Sequence, residues 1–226
     1  MALDLPQATL AVGALGTAAT GLVDTSKVFG AYGTSRVGFA FIKKTIERLL
    51  PIDSNMQHGG LIRSDILDTL LANWLNGMDS ASQKAAAASF VKLHLNAETA
   101  SKLAHATNVD PTTLNSVAAK LAMAGNPEGA LTAQETDTFG RFDLAVAALV
   151  DKAYQRAEQR YRNTCKFLAC VVAIALALIA NTQIESHLPI WQAILIGLVA
   201  TPLAPIAKDI ASAIQTASNT LGKVKA

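Results

Sequence analysis

The segment Thr132–Asn181 reads TAQETDTFGRFDLAVAALVDKAYQRAEQRYRNTCKFLACVVAIALALIAN, and the interpretation of the remaining chain depends on it. It opens with a T-x-x-E pattern at Thr132 and Glu135, a capping box that marks the start of a helix. No proline follows, and Gly140 is its only glycine. One uninterrupted helix of roughly 75 Å is therefore predicted, which is long for a globular domain.

The second half of this helix has the composition of a membrane span. No clearly polar side chain occurs between Phe167 and Ala180, and with its flanks the run covers 164–184. About 20 apolar residues cross a hydrocarbon core of roughly 30 Å. Cations and a tyrosine precede the run, as expected at a cytoplasmic membrane interface. The interface residues predicted on this helix are Arg156, Arg160, Tyr161, Arg162 and Lys166. A buried helix in a soluble core is the alternative.

A second apolar run follows at 188–207, with Trp191 near its start and Lys208 just after its end, both predicted at the interface. Pro202 and Pro205 predict a kink or an unwound end in its last third. Only the short polar link 181–187 separates the two runs, so they are expected to form an antiparallel transmembrane hairpin.

Positive charge flanks the outer ends of both runs and is absent from the link. The positive-inside rule then predicts a multi-pass protein of the plasma (inner) membrane. The long helix and a tail at 208–226 would lie in the cytoplasm, and the 181–187 loop outside.

The N-terminal part, 1–51, is predicted to be membrane-associated. Leu5–Val23 carries no charge, and its glycines Gly13, Gly16 and Gly21 would let another helix approach closely. Embedded, interfacial and soluble packed positions remain open for this segment. Asp24 and Lys27, three residues apart, form a candidate buried ion pair, with a helix end at the interface as the alternative.

An amphipathic helix is predicted from Arg36 to Leu50, ending before Pro51. Its apolar stripe could lie on the cytoplasmic leaflet or pack against the long helix. After a His58-Gly59-Gly60 linker, residues 61–131 predict a small, wholly helical cytoplasmic domain. Helix starts are expected at Ser64, near Asp79 or Ser80, at Asn96 and at Asp110.

Residues 100–120 resemble the bacterial helix-turn-helix repressor families, over about 20 residues and mainly at core positions. Leu103 and Ala104 fall in the first helix, Asn108 takes the turn position where glycine is usual, and Leu114 and Val117 face inward from the second helix. The resemblance implies DNA binding, but the chemistry for it is thin. Asp110 opens the second helix and Lys120 comes late, so nucleic acid is disfavoured as a partner.

The whole chain has 226 residues, is 51% hydrophobic and 16% charged, and carries a formal charge of +2. This charge is too small to indicate an acidic partner. The two cysteines, Cys165 and Cys170, have no disulfide or zinc spacing. No motif for catalysis, phosphate binding or metal ligation occurs. We therefore assign no catalytic, cofactor-binding or metal-binding residue.

Together these patterns predict an all-α integral membrane protein. A small cytoplasmic helical domain is joined by a long stalk helix to a C-terminal two-helix transmembrane hairpin, 132–207 covering stalk and hairpin. The leading functional hypothesis is a non-enzymatic homo-oligomer in the lipid bilayer, acting as a scaffold or a pore. A membrane-tethered adaptor that recruits a cytoplasmic protein is the alternative, and a membrane-anchored DNA-binding protein is the third.

Overall fold

A computed structural model describes residues 5–26, 34–50, 62–123, 129–183 and 188–224. These residues are almost entirely helical, and none of them lies in a strand. The helices are α1 (Leu5–Ser26), α2 (Thr34–Leu49), α3 (Arg63–Leu75), α4 (Ser80–Leu93), α5 (Ala100–Thr107), α6 (Pro111–Ala122), α7 (Ala133–Gln183) and α8 (Ile190–Val224). The all-α prediction is confirmed, as is the single long helix.

The chain divides into two compact units. One comprises residues 35–160 and is called here the helical domain; the other comprises 1–34 with 161–226 and is called the apolar unit. The helix α7 contributes its first half to the helical domain and its second half to the apolar unit.

The core of the helical domain forms around the first half of α7. Phe142, Val146 and Val150 are fully buried there, together with apolar residues of α2 to α6. The stripe on α2 joins the same core, because Phe39, Ile42, Ile46 and Leu49 are all buried.

The apolar stripe of α2 is covered by protein, as in the packing alternative. The compact unit that contains the predicted 61–131 domain extends from 35 to 160, and α2 and the first half of α7 contribute to its core.

Local capping explains most helix starts in this domain. Asp79 accepts a hydrogen bond from the Ser82 N–H at 2.9 Å, and Asp110 accepts one from the Thr113 N–H at 2.7 Å. The start predicted at Ser64 falls one residue early, at Arg63, with no side-chain cap. Asn96 instead closes a short turn before α5, since its Oδ1 accepts from the N–H groups of Glu98 and Thr99.

The predicted capping box at the start of α7 is present. Thr132 N–H donates to Glu135 Oε2 at 2.7 Å, and Glu135 N–H donates to Thr132 Oγ1 at 3.3 Å. The same carboxylate accepts from Ser116 Oγ at 2.6 Å and from Lys120 Nζ at 2.7 Å. Glu135 thus joins α6 to α7 while it caps α7.

The apolar unit consists of α1, the second half of α7 and α8. Gly13 lies against Ala207, whereas the later Gly16 lies against Ala200, so α1 and α8 run antiparallel. The helix α8 continues through Pro202 and Pro205 to Val224, so of the predicted kink or unwound end, the helix does not unwind there.

Candidate functional site

Two of the described helices are long and apolar enough to cross a membrane. They are α7 and the first 24 residues of α8, Ile190–Ala213. The helix α1 is not one of them. These two helices contain most of the predicted runs 164–184 and 188–207.

The outward faces of these two helices carry bulky apolar side chains. Phe167 and Ile179 on α7 and Ile190 on α8 are each at least 60% exposed. Further exposed residues on the same helices are Val171, Trp191, Ile194, Leu195, Leu198, Val199 and Ile206. Soluble proteins rarely expose a continuous apolar surface of this kind, so the surface fits contact with lipid or with another protein.

The interior of the apolar unit is built from small residues. Ala19, Ala173 and Ala200, one from each of the three helices, are buried together, with Val12, Leu15, Val172 and Leu176 packed around them. Small side chains let helix backbones approach closely. In lipid, where the hydrophobic effect does not drive helices together, helices associate through such close packing.

Three glycines sit at the tightest contacts. A Cβ atom added to Gly13 would overlap Ala207 Cβ, and one added to Gly16 would overlap the carbonyl of Ala200. A Cβ added to Gly197 would lie 2.8 Å from the Ile174 backbone nitrogen. Two of these were predicted as association residues; Gly197 was missed, although an isolated glycine in an apolar run is a recognisable signal.

The opposite face of α1 is also made of small residues, and it is open. Ala11, Ala14, Ala18 and Gly21 follow at steps of three and four residues, and all four are exposed. A Cβ added to Gly21 would meet nothing within 4 Å. We call these four residues the outer α1 stripe. The predicted association residue Gly21 therefore lies on a different face from Gly13 and Gly16.

The hydroxyl groups of α1 are satisfied within the helix. Thr17 Oγ1 donates to the Gly13 carbonyl at 3.0 Å, and Thr20 Oγ1 donates to the Gly16 carbonyl at 2.6 Å. Back-bonding of this kind lets threonine occupy an apolar environment without an unpaired donor.

A single asparagine ties the ends of α7 and α8 together. Asn181 Nδ2 donates to the Leu188 carbonyl, and the Leu188 N–H donates to Asn181 Oδ1, both at 2.9 Å. The amide thus pairs with a peptide group seven residues away, while Asn181 itself is 9% exposed. Sequence reasoning treated Asn181 only as the end of the apolar run.

The predicted interface residues occupy surface positions. Arg160, Arg162, Lys166 and Lys208 are exposed, Tyr161 is partly exposed, and Trp191 is 60% exposed at the start of α8. Arg156 is exposed as well, and it lines a groove of the helical domain described below. Whether these positions meet lipid headgroups stays a prediction.

For Asp24 and Lys27, the sequence allows both a buried ion pair and a helix end at the interface. Asp24 is exposed near the end of α1. Lys27 lies outside the described residues.

The segment that resembles a helix-turn-helix motif forms two consecutive helices, α5 and α6, joined by a short turn. Asn108 adopts the left-handed conformation, with φ of 57°, between α5 and α6, as its position in the turn predicted. The chemistry of α6 differs from that of a DNA reader, since Lys120 is held by Glu135. The exposed residues of its surface include Thr112, Asn115 and Ala119.

No group of three or more His, Cys, Asp or Glu side chains comes together among the residues described. Comparison of the chain with protein-family models, with curated proteins and with solved structures found no match to it.

Proposed function

We propose that this protein is a non-enzymatic integral membrane protein of the plasma (inner) membrane that assembles with copies of itself into a scaffold. The observation that carries the proposal is the outer α1 stripe, Ala11, Ala14, Ala18 and Gly21, which faces away from α8. The apolar outer faces of α7 and α8 would place the same unit in the bilayer.

The two faces of α1 have different roles in this proposal. Its glycine face is used within one chain, because Gly13 and Gly16 already pack on α8. That packing therefore gives no reason for copies to associate. The outer stripe does, since small side chains gain little from contact with lipid tails but allow two backbones to come close. Two copies can apply the same stripe to each other about a twofold axis.

A scaffold is favoured over a pore by the interior of the apolar unit. Its buried cluster consists of alanines surrounded by valine and leucine, with no charged side chain in it. This alanine packing brings the three helices of one copy close together among the described residues, so a pore would form between copies rather than within one.

The proposal is tested in two steps. Alkaline carbonate should leave the protein in the membrane pellet, and gentle extraction in neutral detergent should yield a particle of more than one chain. The double variant Ala14→Leu/Ala18→Leu should shift the particle towards the monomer because it fills the stripe. The control Ala175→Leu/Ala211→Leu, which adds the same bulk at exposed positions of α7 and α8, should leave the mass unchanged. Release by carbonate, or a strict monomer at every concentration, would overturn the proposal.

A membrane-tethered adaptor is the second candidate, and one observation favours it. Leu93 and Leu144 of the helical domain are 69% and 71% exposed, respectively. Exposed leucines of this kind could bind a cytoplasmic protein. Two results together would favour the adaptor over the scaffold. The membrane part would be monomeric, and the chain would bind a cytoplasmic protein that the variant Leu93→Ser/Leu144→Ser no longer binds.

A further inference from the structure

A groove of about 220 Å³ lies between α2 and the first half of α7, inside the helical domain. Two cations of α2, Lys44 and Arg48, face two cations of α7, Lys152 and Arg156, across it. Each pair is spaced by four residues, so each lies on one face of its helix. We call these four residues the groove cations.

None of the groove cations has a carboxylate within 4 Å in the part of the chain that the structure describes. The neighbouring acids are engaged elsewhere: Glu47 pairs with Lys43 at 3.9 Å, and Asp151 pairs with Lys84 at 2.6 Å. Four like charges around one groove repel each other, and an anion placed between them would remove that repulsion.

The lower part of the groove is apolar. Leu49, Leu149 and Ala153 contribute to its walls, and Phe41, which is 37% exposed, stands at its side. A small hydrated anion would contact only the cations. An amphiphile with a phosphate group and a short apolar segment would contact both the cations and the apolar walls.

We propose that this groove binds the phosphate-bearing headgroup of an anionic phospholipid. The two arginines supply planar guanidinium groups that match phosphate oxygens in geometry, and the two lysines supply point charges. The inference rests partly on the proposed membrane location. Arg156 precedes the predicted span 164–184 by eight residues of the same helix, and basic clusters next to a span are attracted to anionic headgroups.

The test uses the full chain in neutral detergent and native mass spectrometry. Three additives are compared: dihexanoyl phosphatidylglycerol, dihexanoyl phosphatidylcholine and inorganic phosphate. The groove variant is Arg48→Gln/Arg156→Gln. The matched control is Arg36→Gln/Arg141→Gln, which removes the same charge at exposed positions outside the groove.

The wild-type chain should retain one phosphatidylglycerol per copy in preference to phosphatidylcholine. The groove variant should bind it roughly 25-fold more weakly, and the control should bind it as the wild type does. Equal retention of both lipids, unchanged retention in the groove variant, or displacement by equimolar inorganic phosphate would overturn the proposal. A groove that binds an acidic protein rather than a lipid would show no preference between the two short-chain lipids, and this result would also overturn the proposal.

These lipids are soluble as single molecules, so the measurement does not require the chain to be embedded in a bilayer. Release of the protein by carbonate would refute the proposed function alone. Loss of lipid preference in a carbonate-resistant protein would refute the groove proposal alone.

Discussion

At the residue scale, Asn181 determines how two apolar helices are joined. Its amide donates to the Leu188 carbonyl and accepts from the Leu188 N–H, both at 2.9 Å. These two bonds join the last turn of α7 to the backbone that leads into α8.

Replacing Asn181 with alanine should destabilise the apolar unit by about 1–3 kcal/mol, since two hydrogen bonds of a largely buried amide are lost. The measurement is thermal unfolding of the detergent-solubilised protein. Asn163→Ala, an exposed position on α7, is the control and should leave the unfolding temperature unchanged. Equal behaviour of the two variants would contradict the role assigned to Asn181.

Glu135 links capping to tertiary structure in the helical domain. The Lys120 ammonium, the Ser116 hydroxyl and the Thr132 N–H all stabilise its carboxylate, and they lower the pKa of Glu135 from 4.5 to about 2. Because the folded pKa lies below the unfolded one, the stabilisation is complete above about pH 4.5 and is lost as the pH falls towards 2.

The stability of the helical domain should therefore decline between pH 4.5 and pH 2, and Glu135→Gln should flatten this part of the curve. Chemical denaturation of the purified protein at a series of pH values gives the free energy of unfolding as a function of pH. Glu98→Gln, at an exposed acid beside α5, serves for comparison and should keep the wild-type slope. If the unfolding free energy of the Glu135 variant fell with pH as steeply as that of the wild type, the contacts of Glu135 would not be the cause of the loss of stability in acid.

At the element scale, α1 has two distinct faces. One is packed against α8 through Gly13 and Gly16, and the other is the open outer stripe. The sequence pattern shows that α1 is rich in small residues, but glycine spacing alone does not show which glycine meets which helix.

Gly16→Ala should weaken the packing of α1 by about 1–3 kcal/mol, because the new methyl group overlaps the Ala200 carbonyl and the helices must move apart. Gly21→Ala adds the same methyl group into open space and should be neutral or slightly stabilising. Thermal unfolding of the solubilised protein compares the two variants at a protein concentration low enough for each particle to contain one chain. Equal stability of both variants would contradict the packing described.

At the scale of the whole molecule, the proposed function implies a topology with two complete spans. Of the described helices, α7 and the first 24 residues of α8 are long and apolar enough to cross a membrane, and α1 is not among them. The helix α1 packs antiparallel to α8 within the same compact unit.

Both chain ends should then lie on the cytoplasmic side, and the 181–187 loop outside. Single cysteines at Ala2→Cys, Ser186→Cys and Ala226→Cys test this in a background with Cys165 and Cys170 changed to serine. An impermeant thiol reagent should label positions 2 and 226 only in inside-out vesicles, and position 186 only in right-side-out vesicles. Labelling of positions 2 and 226 from opposite sides would show that α1 crosses completely.

The elements that were predicted correctly rest on local signals. The capping box at Thr132, the aspartate cap at Asp110 and the left-handed Asn108 each depend on atoms within a few residues. Hydrophobic composition identified both candidate spans for the same reason, since length and apolarity are properties of a single segment.

The sequence by itself determined the helices, most of their starts and the two apolar runs, because capping, proline and glycine effects and hydrophobic runs act over short stretches of chain. Only the tertiary structure decided three features: where the amphipathic α2 is buried, that Tyr154 lies in the core beside Trp74, and that Gly13 and Gly21 face different surroundings. Covering an apolar stripe or packing against a small residue lowers the free energy of the folded state, whichever partner does so. Which partner covers it depends on contacts between residues far apart in the chain.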